Sequence, residues 1–111
     1  MKYYLALDLK DNEELIAEYE AYHKAVWPEI IEQIKATGIE SCEIYRVFNR
    51  LVMVLETKAG FSFEEKANKD ALNPIVEKWE TLMWQYQQAI PGTKPGEKWQ
   101  LMNEIFRLDE F

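Results

Sequence analysis

A chain of 111 residues has the size of one domain, spanning residues 1–111, and can close a core without covalent staples. Apolar residues make up 48% of it and charged residues 30%, a globular composition, and the net charge of −7 argues against nucleic acid and anionic membrane as partners. One cysteine, Cys42, and one histidine, His23, leave no material for an internal disulfide or a structural zinc cluster.

Residues 3–9 alternate, with Tyr3, Leu5, Leu7 and Leu9 on one face and Tyr4, Ala6 and Asp8 on the other, which is the period of a strand. The same stretch is too short, and too soon interrupted by Asp8, for a signal peptide, and no apolar run reaches the ~20 residues of a membrane span. The expected address is the cytoplasm. Asp11 or Asn12 can cap a helix whose first turn holds Glu13 and Glu14. From Leu15 onward, Ile16, Tyr19, Tyr22, Val26, Ile30 and Ile34 fall on one half of that helix, and Gly38 is its stop signal. Trp27-Pro28 interrupts it, because proline cannot donate to the Lys24 carbonyl and its ring crowds that group. The helix must kink there, or end and restart.

Ile39 to Phe48 returns to strand, and Leu51 to Leu55 is an unbroken apolar run, so Asn49-Arg50 reads as a hairpin turn. The second of these strands shows no polar face, as expected of a strand buried on both sides. Ser62-Phe63-Glu64-Glu65 has capping-box spacing for a short helix. Asn73-Pro74 starts another, striped by Ile75, Trp79, Leu82, Met83, Tyr86 and Ile90 and ended by Pro91-Gly92. Pro91 to Lys98 is loop, and Trp99 to Leu108 a last strand. The order is β-α-β-β-α-β, an α+β, ferredoxin-like antiparallel sheet with helices on one face. Two helices cover only one side of a sheet, so the apolar run at 51–55 predicts that a second copy covers the other.

Four tryptophans, six tyrosines and five phenylalanines can be core, but sugar-binding and contact surfaces draw on the same residues. Within the first helix, His23 sits inside the apolar arc, with Tyr19 and Trp27 four residues to either side on one ridge. A titratable ring there either hydrogen-bonds inside the core or lines a cavity. Free imidazole titrates near pH ~6.5, which suits proton transfer in neutral solution. Both readings stand on spacing alone. Trp84 lies outside the second stripe and marks a contact surface; no nucleophile elbow, P-loop or dinucleotide fingerprint is present.

The segment Glu18-Tyr19-Glu20-Ala21-Tyr22-His23-Lys24-Ala25-Val26-Trp27-Pro28-Glu29 resembles the Tyr-x-x-x-His-x-x-x-Trp-Pro-Glu signature of the L-rhamnose mutarotase family. Gly38, Ile44-Tyr45, the strand from Leu51 to Glu56, Trp79, Met83 and the closing Glu104-Ile105-Phe106-x-Leu108 extend the likeness over essentially the whole chain. The resemblance implies a homodimer with a barrel of ferredoxin-like halves that interconverts the anomers of a 6-deoxyhexose without cofactor or metal. It assigns acid/base work to His23 and sugar contacts to Tyr19 and Trp79, with Trp27 beside them. Cys42 stands where the better-known type has a tyrosine, and Glu80 where it has a second tryptophan, so both are candidate sugar contacts and L-fucose is a rival to L-rhamnose. Two other classes share such a dimeric fold: a monooxygenase, whose haem version would use His23 as axial ligand, and a non-catalytic sugar-binding module.

Overall fold

A computed structural model describes residues 1–111 in full. Strand β1 (Lys2–Leu9) is followed by helices α1 (Glu13–Tyr22) and α2 (Pro28–Ala36), then by strands β2 (Ile39–Val47) and β3 (Arg50–Thr57). Helices α3 (Phe63–Ala71) and α4 (Pro74–Trp84) follow, and two short strands, β4 (Gln87–Gln88) and β5 (Gln100–Leu101), complete the sheet. The order is the expected one, with each helical stretch divided in two. Asn12, rather than Asp11, caps α1 by accepting from the Leu15 N–H at 3.0 Å. Ser62 accepts from the Glu65 N–H at 3.2 Å and Asn73 from the Ile75 N–H at 3.0 Å. Each such cap is worth about 1 kcal/mol. Gly38, at φ +97°, ends α2 in the left-handed region that a side chain disfavours. No helix is long and apolar enough to cross a membrane.

The sheet runs β2-β3-β1-β4, every pair antiparallel, with β5 joining the same edge of β1 as β4. Register sorts the side chains into two faces. Leu7 opposes Leu51 and Leu5 opposes Met53, so this row, with Leu9 and Leu55, faces the helices. Leu9 and Leu51 join Tyr19, Ile30, Val76, Trp79, Met83 and Tyr86 in the main core. Leu5 and Leu55 form a smaller cluster with Ile39. Full burial of one such side chain contributes about 1.5–3 kcal/mol.

The other face is open. Tyr45, Val52 and Ala6 form one cross-strand row on it, with Val54 and Tyr4 adjacent. Leu51 and Leu55 are buried but Val52, Met53 and Val54 are only half-buried, so the strand expected to be buried on both sides is closed only at Leu51 and Leu55, on the helix side. The Asp8 carboxylate, on this face, takes both Nε and Nη2 of Arg50 at 2.8 and 3.1 Å across the β1–β3 pair.

Three expectations need correction, and one open alternative is decided. The hairpin turn is Phe48-Asn49, not Asn49-Arg50: Val47 pairs with Arg50, and Phe48 takes φ +52° to reverse the chain. The first helix ends at Tyr22 and restarts at Pro28, the second of the two outcomes expected at Trp27-Pro28. The fourth helix stops at Trp84, because Gln87 and Gln88 pair with Leu9 and Asp8 and Lys10 donates to the Tyr86 carbonyl. The last strand is confined to Gln100–Leu101, although Met102 still donates to the Tyr4 carbonyl. Beyond it the chain leaves the edge of β1 at Tyr4, with Lys2 and Tyr3 unpaired on that side, and Ile105, Phe106, Leu108 and Phe111 lie exposed.

Candidate active site

The break between α1 and α2 builds the site. Trp27 is extended (φ −54°, ψ 132°), the conformation a following proline favours, and Pro28 opens α2 at its first position. The residues between continue as turns, Lys24 donating to Ala21 and Ala25 to Tyr22. His23 caps the C-terminus of α1 at the start of this turn, half-buried, instead of sitting mid-helix.

Its ring is held by one bond. Nδ1 lies 2.8 Å from the Tyr19 carbonyl oxygen. A carbonyl only accepts, so Nδ1 carries the proton and Nε2 of the neutral ring is left with a free lone pair. The Tyr19 ring packs on the imidazole with centroids 4.4 Å apart. Behind them Trp79, 6% exposed, meets His23, Tyr22 and Trp27 with centroids 5.9, 6.3 and 5.0 Å away, all near edge-to-face. Such pairs add about 0.5–1.5 kcal/mol each beyond the area they bury.

A cleft of about 400 Å³ opens in front, between α1 and the helix-facing row of β2, lined by Tyr19, Glu20, His23, Lys24, Ile44 and Arg46 among others. That volume lies in the range of small-molecule sites. Glu20 on α1 and Arg46 on β2 form an ion pair across it, and Arg46 Nη1 also donates to the Phe48 carbonyl at 2.7 Å. No three His, Cys, Asp or Glu side chains group as a metal site.

Tyr19 is 3% exposed, and burial pushes its phenol up to about 12, a shift the Gln87 side chain partly opposes by hydrogen bonding. The phenol therefore stays protonated at neutral pH. The sign of the linkage follows: the unfolded tyrosine ionises near pH 10 while the folded one holds its proton to about 12. Stability is intact below pH 10 and falls between pH 10 and 12, by up to about 3 kcal/mol from this group. Denaturant midpoints at about pH 9 and about pH 11 should diverge less in Tyr19→Phe than in wild type, and equal divergence would remove the buried phenol as the cause.

Of the residues singled out from sequence, Tyr19, His23, Trp27 and Trp79 form one contiguous cluster, with Tyr19 and His23 at the cleft wall and the tryptophans behind. Cys42 shares the inward row of β2 with Ile44 and Arg46 but is exposed, and it does not line the cleft. Partial burial raises its thiol above the usual range, with Lys66 acting in the opposite sense. Glu80 does not line the cleft, its carboxylate lying 3.1 Å from Lys98 Nζ, but it is near enough for its charge to push the Tyr19 phenol up. Trp84 is exposed as expected, with Lys98 Nζ 5.1 Å from its ring centre. Glu20, Arg46 and Gln87 were not foreseen. The period-2 placement of Arg46 after Cys42 and Ile44 was a readable signal; Gln87 was hidden by the helix expected to run through it.

The fold and cleft define an α+β protein with a histidine and a protonated tyrosine on the wall of a cleft of small-molecule size. A family model described as L-rhamnose mutarotase matches residues 2–108. An L-fucose mutarotase of Xanthomonas campestris pv. campestris is 43% identical over 106 residues, covering 94% of this chain and 85% of that protein. An L-rhamnose mutarotase of Phocaeicola vulgatus is 32% identical over 96 residues, covering 83% and 85%. The crystal structure of an L-rhamnose mutarotase from Formosa agariphila shares the fold, with a TM-score of 0.70 at 21% identity over 97% of this chain and 98% of that one. The chain belongs to the L-rhamnose mutarotase family and is a sugar mutarotase, an isomerase. The oxygenase and the non-catalytic binder are thereby set aside.

Proposed function

We propose that the protein interconverts the α and β anomers of a 6-deoxyhexose, with L-fucose preferred to L-rhamnose. The observation that carries the chemistry is the His23 imidazole pinned by the Tyr19 carbonyl, its other nitrogen free and beside a neutral phenol. Nε2 takes the proton of the anomeric hydroxyl while the Tyr19 phenol gives one to the ring oxygen, and the C1–O5 bond breaks. The open-chain aldehyde turns about C1–C2. Ring closure on the other face of the carbonyl returns one proton to the phenolate from the C5 hydroxyl and one from the imidazolium to the C1 oxygen. Hydrogen bonding of Nδ1–H to a carbonyl favours the imidazolium formed midway. Glu20 and Arg46 supply an acceptor and donors for the remaining hydroxyls, Trp27 and Trp79 back the histidine, and Cys42 and Glu80 belong to the sugar's outer surroundings.

The preference for L-fucose rests on the 43% identity to the Xanthomonas protein against 32% to the Phocaeicola one. Both sugars share the C6 methyl and differ in hydroxyl orientation, so hydrogen-bonding groups must discriminate between them. Saturation-transfer NMR of the two sugars with catalytic amounts of protein is expected to show exchange of both, faster for L-fucose. Exchange of neither refutes the activity; faster L-rhamnose exchange refutes the preference.

The working form we propose is a homodimer in the cytoplasm, where a free exposed thiol such as Cys42 stays reduced. The support is paired: an uncovered sheet face bearing Tyr4, Tyr45, Val52 and Val54, and an apolar C-terminal segment with Ile105 97% exposed. Sedimentation at micromolar concentration should give twice 13.2 kDa, and a monomer would leave both surfaces unexplained.

A further inference from the structure

Gln87 is a polar side chain placed where the fold calls for an apolar one. Strand β4 puts it opposite Leu9, and Leu9 belongs to the helix-facing core row. The residue is 4% exposed. Its Nε2 donates to the Tyr19 hydroxyl oxygen at 3.4 Å, and its Oε1 is buried with no partner at all. A methionine or leucine would fill the space with no polar atom to satisfy, so an unpaired amide oxygen is kept here at a cost. Costs of this kind concentrate at functional sites.

We propose that Gln87 is a positioning residue of the sugar site, fixing the polarity of the Tyr19 phenol as a donor into the cleft. A phenol has one proton to give and lone pairs that accept. With the Gln87 N–H occupying a lone pair, the Tyr19 O–H proton has no protein acceptor and is left for a sugar oxygen. Were the carboxamide turned over, its oxygen would take the phenol proton, and Tyr19 would offer the sugar only lone pairs. His23 Nε2 already accepts, so the site would then hold two acceptors and no donor for the ring oxygen. Gln87 touches no sugar in this scheme. It acts through Tyr19, and the inference rests on the reading of Tyr19 as a sugar-contacting donor.

A double-mutant cycle tests it, read as anomer exchange of L-fucose by saturation-transfer NMR, with a thermal melt on each variant. Gln87→Met, apolar and similar in size, is expected to slow exchange about tenfold, and Tyr19→Phe at least as much. In the Tyr19→Phe background, Gln87→Met should change the rate less than about twofold, because the group it positions is gone. An equal loss in both backgrounds reduces Gln87 to packing and overturns the proposal. Slowed exchange in Tyr19→Phe with unchanged exchange in Gln87→Met overturns the proposal alone. Unchanged exchange in Tyr19→Phe overturns the reading of Tyr19 and the proposal with it. Gln87→Asn keeps an amide but draws it back from the phenol; if Gln87→Met fails to fold, this variant carries the same cycle with the same expected outcomes.

Discussion

Replacing His23 by alanine is expected to slow anomer exchange by about 10²–10⁴-fold, the range general acid–base catalysis supplies. Its only side-chain hydrogen bond goes to the Tyr19 carbonyl, which also accepts the backbone N–H of residue 23. That carbonyl keeps a partner in the variant, so no buried acceptor is orphaned. The imidazole is half-buried at the cleft wall, and its loss enlarges an existing opening more than it creates a closed void. A stability cost of about 1–2 kcal/mol is expected, too small to unfold a domain with typical reserves. The readout is exchange measured on protein whose melting transition remains cooperative. Wild-type rates in folded His23→Ala would transfer the base role to another group and dismantle the mechanism. His23→Asn sharpens the result: its side chain can still bond locally but offers no lone-pair nitrogen, so it should be as slow as alanine.

What the sequence disclosed divides by the range of the forces involved. The caps at Asn12, Ser62 and Asn73 were legible because each acts on an N–H two or three residues away. The restart at Pro28 was legible for the same reason, though as one of two outcomes. His23 stood out because a polar ring in an apolar stripe contradicts the stripe. The limits of α4 and β5 were not legible. Helical periodicity continued through Tyr86 and Ile90, but Gln87 and Gln88 were claimed by an edge of β1, a segment some eighty residues earlier. Beyond Met102 the alternation persisted, but the chain leaves the edge of β1 there, and a period-2 pattern does not show where a strand parts from its neighbour. The cleft was harder still. Glu20 and Arg46 meet only because the β2–β3 hairpin turns at Phe48-Asn49 and sets Arg46 opposite Leu51. A two-residue turn displaced to Asn49-Arg50 would set Arg46 opposite Met53 instead, on the same helix-facing row but two residues further along β3.

Trp79→Ala is expected to have the largest effect on stability, and it joins the core to the site. The indole lies in the main core with Leu9, Val76 and Met83 and supports His23, Tyr22 and Trp27 at once. Truncation of a buried tryptophan costs about 3–5 kcal/mol, from lost transfer energy and from the cavity left behind. At about 4 °C per kcal/mol for a chain near 100 residues, the melting temperature should fall by about 12–20 °C. Exchange should fall as well, below the melting range, because Trp79 fills the space behind the imidazole and its loss frees the ring to leave the Tyr19 carbonyl. Trp79→Phe separates the two effects: it keeps an aromatic edge against His23 while giving up part of the buried area. It should recover most of the exchange rate and only part of the melting temperature. Equal recovery of both would make Trp79 a packing residue that matters to the site only through global stability. Full loss of exchange in Trp79→Phe, with the melt largely restored, would instead place the indole in direct contact with the sugar.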